Sequence, residues 1–297
     1  MNFDVFDESI GIDGYYRYIQ SQAFPNSTET SFEIASYNAI GNIYPKGTVF
    51  SRVRWISKER ANDFVHGNID INDFYPPRPH INSIPEGRFN KLNSTTMYLS
   101  DHPFVALKEC NIKEGDYFLL SYFSLPRRMS FIQIESEKDN LSQIFVNLLR
   151  TQDKRFYPLI NMVYSNLLKF DAHDGVVYNS VKVDADYVDV NCWGKITSAK
   201  NFAIQDERIK NFKLEVSWLM YCNKNLQPVE HAMYVPLSNK KKNKIMTIAY
   251  QKNREAYKVS TNKIKKQLFE RKAKTNILLA KEDKIMNTEI LFKIVSK

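Results

Sequence analysis

Seven short stretches rich in β-branched and aromatic residues recur along this chain, and they constrain its fold more than any other feature. They are Thr48 to Trp55, Thr96 to Ser100, Tyr117 to Phe123, Met129 to Ile134, Val176 to Val183, Phe202 to Ile204 and Leu214 to Tyr221. Each reads as a strand. Leu141 to Leu149 and Leu159 to Leu168 have helical periodicity, and a shorter helix is expected near Tyr15 to Gln22. Asp101 is placed to cap a further helix, with Pro103 in its first turn and Phe104, Val105 and Leu107 on its buried face. A Leu125-Pro126 turn joins the third and fourth strands, and Asp174-Gly175 marks a turn before the fifth. Residues 63–95, with Pro76, Pro77, Pro79, Pro85 and many Asn, predict a long surface loop. No regular strand–helix–strand repeat runs through the chain, so the expectation is a mixed α+β core of strands flanked by helices.

Charge divides the chain in two. Of the net +9, residues 240–284 hold 15 Lys and Arg against 4 Asp and Glu, which leaves −2 for the rest. The body is nearly neutral, and the basic character belongs to a C-terminal segment. No stretch approaches the ~18 apolar residues of a membrane helix. The N-terminal Met1-Asn2-Phe3-Asp4 sequence lacks the basic and apolar regions of a signal peptide. Cys110, Cys192 and Cys222 have no metal-ligand spacing and read as reduced thiols, so a cytoplasmic location is expected. The five histidines are scattered, and no metal or cofactor is expected. The nine glycines form neither a GxGxxG nor a GxxxxGK[ST] arrangement.

Four segments, taken in order, resemble the RES-domain family, named for its arginine, glutamate and serine. They are Gly47-Thr48-Val49-Phe50-Ser51-Arg52-Val53-Arg54; Gly87-Arg88-Phe89-Asn90; Tyr98-Leu99-Ser100 with Ala106 and Glu109; and Asp174-Gly175-Val176-Val177-Tyr178-Asn179-Ser180. Asn201-Phe202-Ala203-Ile204 is similar to a late segment of longer members. The resemblance spans roughly residues 47–205. It departs at Asn179, where proline is common, and in the long additions at both ends. What it implies is an ADP-ribosyltransferase-like fold and an activity that consumes NAD as substrate. Many family members are toxins held in check by a protein antitoxin.

Elementary chemistry fits that expectation. Cleaving the nicotinamide–ribose bond passes through an oxocarbenium-like state, as in glycoside cleavage, and nicotinamide leaves as a neutral molecule. The site needs an anion near the developing cation, a grip on the diphosphate and a platform for the ring. Glu109 is the candidate carboxylate, with Tyr98 as the stacking ring and Ser180 as a hydroxyl that holds a ribose or orients Glu109. Strand alternation puts Arg52 and Arg54 on one face, suited to bidentate phosphate binding. Arg88, Asn90 and Asn201 complete the candidate NAD-binding set. Each residue also has a plain structural reading. Glu109 could be a solvated glutamate or a partner of Lys108 or Lys113; Tyr98 a core aromatic; Ser180 a serine bonded to nearby backbone; the arginines surface groups. His102 and His173 read as structural.

The expected organisation is a partly helical N-terminal extension over 1–46, a catalytic domain over 47–235 and a basic C-terminal extension over 236–297. In the last, Lys240 to Lys244 and Lys263 to Lys274 are interleaved with Tyr250, Tyr257 and Phe269, which suits a polyanion contact. Apolar residues at 277–279 and 290–292 suggest that the end folds back, yet the charge split suggests a separable segment. Three readings follow: an NAD glycohydrolase or phosphorylase, an ADP-ribosyltransferase acting on a macromolecule, or a non-catalytic nucleic-acid-binding module.

Overall fold

The computed structural model describes residues 1–25, 34–35, 39–79, 83–134, 140–169, 171–237, 244–282, 288–290 and 293–294. Its strands are β1 (Ile34–Ala35), β2 (Ala39–Tyr44), β3 (Val49–Ile56), β4 (Thr96–Ser100), β5 (Tyr117–Ser124), β6 (Met129–Ile134), β7 (Gly175–Asn179), β8 (Val188–Asp189), β9 (Gly194–Lys195), β10 (Lys200–Gln205), β11 (Lys213–Cys222), β12 (Pro228–Pro236), β13 (Ile245–Ala249), β14 (Thr288–Ile290) and β15 (Lys293–Ile294). Its α-helices are α1 (Gly11–Ala23), α2 (Lys58–His66), α3 (Pro103–Glu109), α4 (Asn140–Leu149), α5 (Tyr157–Val163), α6 (Asp206–Ile209) and α7 (Arg254–Glu282). The fold is mixed α+β. Eleven strands form one sheet in the order β13-β12-β11-β5-β3-β4-β10-β7-β6-β2-β14. All neighbours in it are antiparallel except β6 and β7.

The sheet is not evenly paired. β3 pairs with β5 from Val49 to Ile56, and β4 pairs with β10 from Thr96 to Ser100. Between β3 and β4 the only register is Ser51 with Ser100. Beyond that bridge the two halves of the sheet part. On one face an apolar layer crosses the junction: Phe50, Leu99, Val177 and Phe202 share a core, and the Phe50 and Phe202 rings lie 4.5 Å apart. Truncating a ring of this kind costs about 3–5 kcal/mol. On the other face the core is interrupted. Val53, Leu120 and Trp218 pack with Leu107 and Tyr257, while Val176, Tyr178 and Ala203 pack with residues of α1, α4 and α5. α3 lies where these two clusters divide and touches β3, β4 and β10.

Several expectations meet the backbone differently. α2 begins before residue 63 and runs into the stretch expected as loop: Ser57 Oγ accepts from Arg60 N, and Gly67 at φ 81° ends the helix. Asp101 does not cap α3; His102 Nδ1 accepts from Phe104 N, and the Asp101 carboxylate turns to Ser198 Oγ and Lys200 N. The strands on either side of Leu125-Pro126 are not partners, since β5 lies between β3 and β11 while β6 lies between β2 and β7. β7 stops at Asn179 rather than Val183, because the Ser180 hydroxyl accepts from the Lys182 and Val183 amides and turns the chain. The helix expected to Leu168 is α-helical to Val163 and continues as a π-turn over Tyr164–Leu168.

The charge boundary is not a packing boundary. β13, at the start of the basic segment, pairs with β12. α7 buries Tyr257, Thr261 and Thr275 on one face, with Ile264 and Leu268 packed against the core around Trp218. Two of its solvent-facing cations reach back to acids of the sheet: Lys265 meets Glu230 and Arg271 meets Glu215. Its exposed cations, Lys258, Lys263, Lys266 and Lys274, share the outer side with Glu255 and Glu270. Lys240, Lys241 and Lys242 lie outside the described residues, as do the side chains of Ile277, Leu278 and Leu279 and residues Leu291 and Phe292. Among the described residues no helix is long and apolar enough to cross a membrane.

Candidate active site

Glu109 sits at the last position of α3, where the helix dipole disfavours a negative charge. Its carboxylate is nevertheless held in place. Oε1 accepts from Ser180 Oγ at 2.7 Å and from Asn201 Nδ2 at 2.8 Å. The Ser180 oxygen already accepts from two backbone amides, so its own proton is directed at Glu109. Asn201 is buried, and its Oδ1 accepts from Ser100 Oγ at 2.6 Å. Ser51 Oγ in turn donates to Ser100 O. The carboxylate is thus tied to the single bridge at which the two halves of the sheet meet.

Glu109 Oε2 is treated differently. Among the described residues its recorded polar neighbour is Arg88 Nη1 at 3.9 Å, a charge contact too long for a hydrogen bond. The Glu109 side chain is 19% exposed and that of Arg88 11%. Arg88 Nη2 donates to Thr151 O at 3.3 Å, while its buried Nε has no partner. One carboxylate oxygen is fixed by neutral donors and the other faces a guanidinium with hydrogen-bonding capacity to spare.

Arg88 is carried on a tight turn closed by the bridge between Gly87 and Asn90. A Cβ at Gly87 would lie 2.3 Å from Asn90 Oδ1 and 3.1 Å from Tyr98 Oη, so any side chain there would displace the buried Asn90 amide. Tyr98 Oη accepts from Phe89 N and donates to Asn90 Oδ1, and burial holds its phenol well above the usual range. Asn90 is spent on this turn: its Nδ2 donates to Pro85 O. Phe89 anchors the turn against Tyr164 and Tyr178.

The sequence-derived candidates therefore fall into three groups. Glu109, Ser180, Asn201 and Arg88 meet directly. Tyr98 and Asn90 organise the adjoining turn, so Asn90 positions Arg88 and has no spare amide to offer a ligand. Arg52 and Arg54 lie across the parted strands. Arg52 Nη1 donates to Phe74 O, and burial together with Arg54 pushes its guanidinium down to about 10, still charged at neutral pH. It lies near Cys110, whose thiol donates to Val53 O. Arg54 donates to Asp73 O at 2.6 Å and lines a separate cavity of about 620 Å³ with Tyr75, Arg78 and Thr95. No described contact joins it to Glu109.

Two residues of this arrangement were not singled out from the sequence. Lys182 Nζ donates to Lys108 O, Glu109 O and Asn111 Oδ1 and places a cation at the C-terminal end of α3, which offsets the adverse position of Glu109. Asn161, buried on α5, donates to Gly87 O and Asn90 O and holds the turn that carries Arg88. Its signal was a polar amide among Leu159, Ile160 and Val163, where it needs a partner. Comparison with known proteins gave no matching family model, no matching curated protein and no matching solved structure.

Proposed function

We propose that this protein cleaves the nicotinamide–ribose bond of NAD on an ADP-ribosyltransferase-like fold, as its resemblance to the RES-domain family implies. The observation that carries the reading is the asymmetry of Glu109. Ser180 and Asn201 fix Oε1, and Oε2 is left to face the site beside Arg88. In the reaction the bond between the ribose anomeric carbon and the pyridinium nitrogen breaks, and its electron pair leaves with neutral nicotinamide. Oε2 stabilises the cation that develops at the anomeric carbon. An oxygen of water or of inorganic phosphate then bonds to that carbon, and with water one proton is released. Ser180 is a positioning residue here, because its oxygen accepts from two backbone amides and its proton holds Glu109 Oε1. Tyr98 and Arg52 are the proposed ring platform and diphosphate ligand. A toxic or defensive role, with a protein antitoxin, is part of the same proposal.

The test is to incubate purified protein with NAD, with and without phosphate, and to identify the products. Free nicotinamide with ADP-ribose supports hydrolysis; nicotinamide with ADP-ribose phosphate supports phosphorolysis. Glu109→Gln should lower either by at least ~100-fold while remaining folded. Radiolabel transferred from NAD to a macromolecule would replace the proposal by ADP-ribosyltransfer. Absence of NAD loss under all conditions would overturn both.

A further inference from the structure

A second polar cavity lies at the other end of α3. It has a volume of about 270 Å³ and is enclosed by β2, the start of β3, the N-terminal end of α3, the chain before β10 and the inner face of α7. Lys272, Lys200, His102, Ser198 and Asp101 line it. Lys272 comes from α7 and is half-buried; its ammonium donates to Asp101 O at 2.8 Å. An ammonium has three donors, and that carbonyl is the one acceptor recorded for it among the described residues. Lys200 spends its backbone amide on Asp101 Oδ1, and its Nζ has no recorded partner among the described residues. His102 uses Nδ1 to accept from Phe104 N, which leaves a proton on Nε2 as a further donor. Burial holds His102 down to about 4, so the ring is neutral at physiological pH.

The acid in the cavity does not satisfy these donors. Asp101 Oδ2 accepts from Ser198 Oγ and Oδ1 from the Lys200 amide, so both oxygens are engaged by neutral groups. Burial raises the Asp101 carboxyl above its usual range and lowers the Lys272 ammonium, and the attraction between the two charges offsets this only in part. A half-buried ammonium with unmade hydrogen bonds is a ready donor, and an oxyanion is the chemistry that would complete it.

We propose that this cavity binds a small tetrahedral oxyanion, phosphate or sulfate, between Lys272, Lys200 and His102. The volume of about 270 Å³ has room for such an ion and lies just below the roughly 300–1,000 Å³ usual for pockets that bury a drug-sized ligand. It is distinct from the acceptor position of the proposed cleavage reaction. α3 has seven residues and so spans about 10 Å at 1.5 Å per residue, and Glu109 is at its far end. Because Lys272 also grips Asp101 O, the bound ion fastens α7 to the start of the helix that carries Glu109.

The test needs no NAD and therefore stands apart from the proposed activity. Inorganic phosphate and, separately, sodium sulfate are titrated into the full-length protein by calorimetry and thermal melting, with sodium chloride at matched ionic strength as control. Saturable binding at millimolar concentration or tighter is expected, with a melting temperature raised by oxyanions and not by chloride. Lys272→Met should weaken the binding at least tenfold, and Lys200→Gln should weaken it severalfold without loss of fold. Glu109→Gln should bind as the wild type does. No saturable binding in the wild type would overturn the proposal. So would undiminished binding in Lys200→Gln and Lys272→Met, or loss of binding in Glu109→Gln, which would put the ion at the other end of the helix.

Discussion

The two ends of α3 each present a carboxylate, and the molecule uses them in opposite ways. At the start, Asp101 has both oxygens engaged, by Ser198 Oγ and the Lys200 amide, and its backbone carbonyl is gripped by Lys272. At the finish, Glu109 has one oxygen engaged twice and the other facing Arg88 at 3.9 Å. A carboxylate whose hydrogen-bonding capacity is filled from within joins segments of chain together. One that is rigidly held yet half satisfied is preorganised for something that is not part of the protein. Similar residues eight positions apart are thus separated into a structural and a chemical role by their neighbours alone.

Substitutions can break or sharpen this contrast. The largest effects are expected at the donors to Glu109 Oε1. A hydrogen bond to a charged group is worth about 1.5–3 kcal/mol, and each ~1.4 kcal/mol is tenfold in rate. Ser180→Ala and Asn201→Leu should each lower kcat for NAD cleavage by roughly one to two factors of ten, with KM little changed. Steady-state kinetics check this; a rise in KM at constant kcat would mean that these residues bind substrate rather than position Glu109.

Lys182→Met should act less strongly, by about tenfold in kcat, because it releases the carbonyls at the end of α3 and leaves the carboxylate donors in place. Lys182→Arg, which retains the cation, should recover most of the loss. Equal loss in both variants would show that the position tolerates no change and that the charge is not what matters.

At the other end the expected readout is stability. Asp101→Ala strands the Ser198 hydroxyl and the Lys200 amide, at about 1–3 kcal/mol for each buried donor left unpaired. The melting temperature should fall by several degrees, measured by calorimetry, while turnover per folded molecule stays within a few-fold of wild type.

The smallest effect concerns pH. His102 is neutral in the fold, held down to about 4 by burial, against about 6.5 in an unfolded chain. Its folded value is depressed, so the stability it contributes is complete above about 6.5 and is lost as the pH falls from there towards about 4. His102→Asn keeps a capping side chain and removes the titration. The drop in melting temperature between pH 7.5 and pH 5 should therefore be smaller in the variant than in the wild type. An equal drop would place the acid sensitivity elsewhere.

What the sequence made legible follows from what periodicity can encode. The strands β3, β4, β6 and β11 were readable because apolar and β-branched residues cluster in them, and Glu109, Arg88, Ser180 and Asn201 were singled out as a set that the fold does bring together. Partnership was not readable. Nothing in Leu125-Pro126 says that the strands on either side belong to different parts of the sheet. Ser180 and Glu109 meet only because β7 ends early, a turn made by the Ser180 hydroxyl itself. α7 was hidden because its inward positions include Thr261, Lys272 and Thr275, while Val259 and Phe269 face outward at 66% and 76% exposure. Its lysines gave it the look of a separable tail, although three of its cations pair with groups of the body.

The central claim is that Glu109, and not Asp101, is the carboxylate kept for chemistry. The most direct measurement compares NAD turnover in Glu109→Gln and Asp101→Asn, each normalised to folded protein from its own melt. The expected result is at least ~100-fold loss in Glu109→Gln at an unchanged melting temperature, and near-wild-type turnover with a lowered melting temperature in Asp101→Asn. Full turnover in Glu109→Gln, or its loss in folded Asp101→Asn, would contradict the claim.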